Sequence, residues 1–227
     1  MRTKLLCLIL ALSCALPLVR GAQPADTLSL RYVFTDLDVP ALDLLSRSSR
    51  LDMADYAEAG KDYTAMNEMY GQSRVTAWSD SCVSLELTQV SRAQIFLLPA
   101  GKKRLAALIY TVDAGGADSQ INFYDSRLRP LKVKKYFTPP LVEDFMAARW
   151  RSDKEARAAV SRLIPFPVVE YVWDPASRTL RVMLSVRDVV SQEEYKEVAP
   201  YLVPAAEDAL PTLSYGWNGS RFVRLDR

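Results

Sequence analysis

The chain opens with an apolar block. Leu5 through Leu18 is almost uninterrupted in its hydrophobicity, with Arg2 and Lys4 ahead of it and Gly21 and Ala22 behind. A positive start, an apolar middle and a small-residue end is the order signal peptidase reads, so residues 1–22 are expected to be a cleavable secretory signal peptide. The block of about fourteen residues falls short of the roughly twenty needed to cross a bilayer. Apolar residues also continue beyond Cys14 to Val19, where a lipid-anchored cysteine would be followed by a polar tether.

The pattern then becomes helical. Asp38 reads as an N-cap ahead of Pro40, Leu42 and Leu45 share a face, and Met53, Tyr56 and Ala57 continue the spacing until Gly60 interrupts it. Lys61 to Tyr70 fits either a further helix or an irregular connection ending at Gly71. From Arg74 the period changes to two, with strand candidates at 74–78, 82–90, 94–99, 105–113 and 120–124. Short polar breaks separate them, which predicts an antiparallel meander of up to five strands with Val83, Leu85 and Leu87 on one face.

Beyond the meander, Leu141, Val142, Phe145 and Met146 recur at helical spacing. Ser152-Asp153-Lys154-Glu155 reads as a capping box ahead of an apolar stripe of Ala156, Ala159, Val160 and Leu163. Residues 166–173 and 179–186 flank the turn sequence Asp174-Pro175-Ala176-Ser177 and predict a hairpin. A second capping box, Ser191 to Glu194, opens a helix that Pro200 should kink or stop. Residues 213–217 and 221–225 predict a last hairpin, whose Asn218-Gly219 suits a type I′ turn. The fold class is therefore α+β: an antiparallel meander plus C-terminal hairpins, covered by helices on one face. Residues 23–227 are expected to form a single α+β domain, with two packed lobes dividing near residue 135 as the alternative.

Composition changes this picture little. The full chain of 227 residues carries formal net charge +2, but loss of Arg2, Lys4 and Arg20 with the leader leaves 26 basic against 27 acidic residues. The mature charge of −1 carries no basic stripe or polybasic segment, so neither nucleic acid nor stable membrane insertion is expected. Cys82 is the one thiol outside the leader, which leaves no internal disulfide in the mature chain. With no histidine, histidine triads and histidine-ligated metal sites are excluded.

Several blocks carry a resemblance: Pro40 to Leu45, Arg50 to Tyr56, Tyr70-Gly71-Gln72-Ser73, Leu97-Leu98-Pro99 and Asp118 to Asp125. In order and spacing the chain resembles domain of unknown function family 3256, exported proteins of Bacteroidales-type bacteria. Where members of that family often carry an asparagine-arginine pair, this chain has Ser49-Arg50. The resemblance implies the envelope of a Gram-negative bacterium, periplasmic or outer, and brings no activity, ligand or catalytic residue.

The residues themselves offer no catalytic, cofactor or metal constellation. Asp113, Asp118 and Asp125 lack the spacing of a calcium loop and read as a hairpin turn. Asp52 with Asp55, or Glu193 with Glu194, could serve a carboxylate-dependent hydrolase acting on glycans, but solvated helix faces account for them. Trp78, Tyr215 and Trp217 are the candidates for a binding face, set against core packing. The function expected is a non-catalytic binding or assembly module of the bacterial envelope, its partner an envelope protein or a glycan, with a carboxylate hydrolase as the alternative.

Overall fold

The computed structural model describes residues 28–203 and 209–225, so the leader expected at residues 1–22 lies outside the described residues. Seven strands run in sequence order through one antiparallel sheet: β1 (Thr64–Met66), β2 (Gln72–Trp78), β3 (Cys82–Thr88), β4 (Ser91–Ala100), β5 (Lys103–Asp113), β6 (Ala117–Tyr124) and β7 (Pro130–Leu131). The five expected strands form its middle, and short β1 and β7 extend it at both edges. Lys61 to Tyr70, open between helix and connection, thus supplies an edge strand and a loop.

Strands β4 and β5 carry continuous buried runs because both of their faces are covered, whereas β3 and β6 keep more of the alternation. On one face Val83, Leu85, Leu87, Ile95 and Leu108 pack against helices α1 (Leu30–Asp36) and α2 (Arg47–Glu58). On the other, Phe96, Leu98, Ile109, Ile121 and Phe123 join a separate cluster with residues from 136 onward. A one-residue bulge between Val75 and Ala77 sets Trp78 opposite Val83, turning the indole towards the helices, where it meets Phe34 edge-on at 5.9 Å.

The two C-terminal hairpins merge into a second sheet ordered β11-β10-β9-β8: β8 (Val169–Asp174), β9 (Thr179–Leu184), β10 (Thr212–Trp217) and β11 (Phe222–Arg224). Its β8 edge lies on the face of the large sheet, so the large sheet has α1 and α2 on one side and the second sheet, with the later helices, on the other. Side chains of the large sheet satisfy the exposed backbone of β8. Tyr171 N–H donates to Ser119 Oγ at 3.0 Å, and Trp173 N–H donates to Gln94 Oε1 at 2.9 Å. Gln94 Nε2 returns a bond to the Trp173 carbonyl at 3.2 Å, and the Phe96 ring stacks on Trp173 at 4.7 Å. An edge that would otherwise invite another chain is thereby covered.

Helical detail departs from the sequence pattern in four places. Helix α1 lies ahead of the helical start expected at Asp38; Ser29 caps it by accepting from Tyr32 N–H, and Leu30, Val33 and Phe34 share its buried face. Asp38 is no cap: Val39 precedes a three-residue 3-10 turn at Pro40–Leu42, and α2 begins only at Ser46, whose side chain accepts from Ser49 N–H. The 141–150 stretch forms two 3-10 turns, Val142–Phe145 and Ala148–Trp150, rather than an α-helix. In α4 (Lys154–Leu163) the cap is Asp153, not Ser152. By contrast, α6 (Gln192–Val198) carries the expected reciprocal Ser191/Glu194 box. Short helices α3 (Val133–Tyr136) and α5 (Val186–Val189) complete the helical set among the described residues.

The last hairpin also differs from its signature. A type I′ turn needs left-handed backbone at both central residues, and only Gly219 has it, at φ +93°. The loop spans Asn218 to Arg221, and the Asn218 side chain accepts from the N–H groups of Ser220 and Arg221. An Asx turn replaces the tight reversal.

Candidate functional site

The connection from β1 to β2 is a five-residue loop whose backbone is fixed from within by Asn67. That residue is 4% exposed, and its Oδ1 accepts from Met69 N–H at 3.1 Å and Gly71 N–H at 2.9 Å. Its Nδ2 donates to Ser73 Oγ at 3.1 Å and to the Leu87 carbonyl at 3.0 Å. Glu68 N–H donates to the Leu44 carbonyl, fastening the loop to the segment ahead of α2. A buried amide making four such bonds rigidifies its surroundings.

This rigid loop and the last residue of β1 hold large apolar side chains in water. Met66 is 72% exposed, Met69 70% and Tyr70 91%. Tyr70 also adopts left-handed backbone, φ +60°, which costs a side-chain-bearing residue about 1–2 kcal/mol. Met69 and Val90 line an open groove of about 730 Å³ over β2 and β3, together with Gln72, Gln89 and the ion pair Arg74–Glu86 at 2.7 Å. Strain at Tyr70 and exposed methionine carry no packing benefit within the chain, so the tip fits a contact surface, where Met and Tyr are favoured anchors.

Of the aromatic residues singled out in the sequence, Tyr215 and Trp217 pack in one cluster and Trp78 against the other. Tyr215 is 7% exposed and packs edge-on against Phe137, so it belongs to the core and offers no binding face. Trp78 is half-buried against Phe34, on the helix side of the large sheet. Trp217 is half-buried on the opposite side, its Nε1 donating to the Pro99 carbonyl at 2.6 Å. Asp113 and Asp118 sit at the β5–β6 hairpin, with Asp125 roughly 20 Å away at the far end of β6 by strand rise.

Among the described residues, the carboxylates singled out in the sequence do not converge as a hydrolase would need. Asp52 is exposed on α2, and Asp55 pairs with Arg31 at 2.5 Å. Glu194 accepts the Ser191 N–H of its own capping box, a bond that lowers its pKa. Arg74 lowers that of Glu86, and Asp36, Asp125 and Asp174 are shifted down as well. A general acid requires the opposite shift. Among the described residues no group of three His, Cys, Asp or Glu side chains is placed to hold a metal ion.

Cys82 is buried, and burial pushes its thiol up to about 11 from an ordinary 9.0. The nucleophilic thiolate is therefore scarce at neutral pH. A disulfide reagent at pH 8 is expected to leave native Cys82 unmodified and to titrate one thiol per mature chain in denaturant; rapid labelling of the native protein would show that the site opens. Because the folded chain keeps a proton that the unfolded chain has lost, stability should fall as pH rises from about 9 towards 11.

The family model described as "Protein of unknown function (DUF3256)" matches residues 23–222. The chain belongs to this family. Among solved structures, a similar fold is seen in a domain of an uncharacterized protein from Porphyromonas gingivalis W83, at TM-score 0.73 and 24% identity. The alignment covers 87% of this chain and 98% of that one, a likeness of fold alone. No curated protein matches. Among the described residues of this DUF3256 chain, no helix is long and apolar enough to cross a membrane.

Asn67, Met69 and Tyr70 were not singled out by sequence reasoning. Tyr70-Gly71 falls within a block shared with the family, but nothing in a single sequence distinguishes an exposed tyrosine from a buried one. The usable signal was the absence of a period in 61–71 between two strongly periodic segments.

Proposed function

We propose that this DUF3256 protein is an exported, non-catalytic binding or assembly module of the bacterial envelope, folded from residue 23 as a single domain, and that the β1–β2 hairpin tip is its contact with an envelope protein. The observation that carries the reading is the rigid display of Met66, Met69 and Tyr70, held in water by a buried Asn67. Grouped exposed apolar side chains mark interaction sites, and here they project from an edge of the sheet at a loop that is ordered before binding. The leader-like sequence at 1–22 supports export. The partner would offer an apolar recess for Tyr70 with a polar rim facing Arg74 and Glu86.

The test compares the tagged mature protein with its Met66→Ser/Met69→Ser variant in envelope fractions of the native host. The wild type is expected to retain a partner that the variant captures at least about tenfold less, as loss of an interface anchor implies, with both proteins melting at the same temperature. Equal capture by the two proteins would overturn the assignment.

A further inference from the structure

On the side of the large sheet away from α1 and α2, the turn ends of both sheets enclose a recess of about 360 Å³. Its walls include Trp173, Trp217 and Pro99, and Arg104 and Arg178 stand at it, both exposed. Neither arginine has a carboxylate partner among the described residues. The nearest acid in the Arg178 turn, Asp174, is occupied by Ala176 N–H at 2.9 Å and the Ser177 hydroxyl at 2.6 Å. Asp80 stands next to Ser81, a lining residue, but does not itself line the recess.

Both walls are fixed. Trp217 is held by its bond to the Pro99 carbonyl and Trp173 by its stack on Phe96. Arg178 is set by left-handed backbone at φ +54°. On its far side Trp217 stacks on Tyr136 at 6.4 Å, and Lys135 lies over the Tyr136 ring at 5.3 Å. Arg221 of the same hairpin donates to Thr138 Oγ1 at 3.1 Å. Arg104 and Arg178, from segments distant in sequence, thus meet Trp217 at one recess, although the mature chain has no net positive charge. Two arginines lining one recess without an ion-pair partner among the described residues raise its potential, which an anion would relieve.

We propose that this recess binds a saccharide bearing a carboxylate, its ring lying against Trp217 and its anionic group taken by Arg104 and Arg178. Pyranose C–H faces suit a flat aromatic wall, and the guanidinium fork matches a carboxylate bidentately. The volume is that of a small-ligand site rather than of a track for a polymer backbone. This site lies apart from the hairpin tip and stands or falls independently of it.

The test is titration of the mature protein with trigalacturonate, followed by tryptophan fluorescence. A saturable change is expected, with maltotriose at least about tenfold weaker because it lacks the charge. The Arg104→Gln/Arg178→Gln variant should lose about tenfold or more in affinity with an unchanged melting temperature, both side chains being exposed. Trp217→Phe should keep the fold and lose most of the fluorescence change. The proposal is overturned by the absence of saturable binding, by an unaltered affinity in the double-arginine variant, or by equal binding of inorganic phosphate or hexaglutamate.

Discussion

Tyr70→Gly is expected to abolish capture of the envelope partner while leaving the protein as stable as before, or up to about 1 kcal/mol more stable. The two effects separate because they act on different parts of the residue. Its backbone sits at φ +60°, a conformation glycine adopts freely, and its ring is 91% exposed and supports nothing in the fold. Asn67 would still hold the loop through the Met69 and Gly71 N–H groups. Thermal melting and partner capture measured on the same preparation check this. A variant that lost stability would show the ring to be structural, and one that kept its partner would remove Tyr70 from the contact.

Arg50→Ala is expected to cost about 3 kcal/mol and to lower the melting temperature by about 10 °C. Arg50 is 8% exposed, and its Nη1 donates to the carbonyls of Phe34 at 3.2 Å and Leu37 at 2.7 Å. These groups close the end of α1, which has no glycine cap of its own. Burial lowers the pKa of the guanidinium, against the pull of Asp36, Asp38 and Asp43 that raises it. Arg50→Lys should recover only part of the loss, since a compact ammonium on a flexible stem lacks the guanidinium's rigid, multi-donor geometry. Denaturant melts of the three proteins decide it; an Ala variant within about 0.5 kcal/mol of wild type would show that water can replace the arginine.

Much of the fold was legible because the meander announces itself. Strands as long as β4 and β5 with polar breaks of a few residues leave antiparallel neighbours as the only short connection. The Ser191–Glu194 box and the Asp174–Ser177 turn likewise follow from local chemistry and stand as read. What escaped was decided by tertiary contact. Helix α1 exists because Leu30, Val33 and Phe34 bury against the sheet, not because of its own propensity. Residues 141–150 tighten into 3-10 turns, where Met146 pairs with Leu202 in an isolated bridge. Both hairpins of the second sheet are legible, but their union through β9 and β10 and their packing on the first sheet are not, because these depend on an apolar cluster shared between the sheets and on Gln94 and Ser119, which look like ordinary strand polar positions.

The candidate sites were less legible for the same reason. Trp217 drew notice as one aromatic on a strand, but its arginine neighbours come from segments more than 35 residues away in sequence. Arg50 reads as a solvated helix charge until α1 is placed over it. At the hairpin tip, apolar Met66, Met69 and Tyr70 sit in a stretch without a period, and only the buried Asn67 shows that the loop is rigid.

The most direct test of the account is site-specific photocrosslinking in the native host, with p-benzoylphenylalanine in place of Tyr70 and, separately, in place of Lys196 on exposed α6. The account predicts one discrete envelope-protein adduct from position 70 and none from position 196. No adduct from position 70, or the same adducts from both positions, would contradict it.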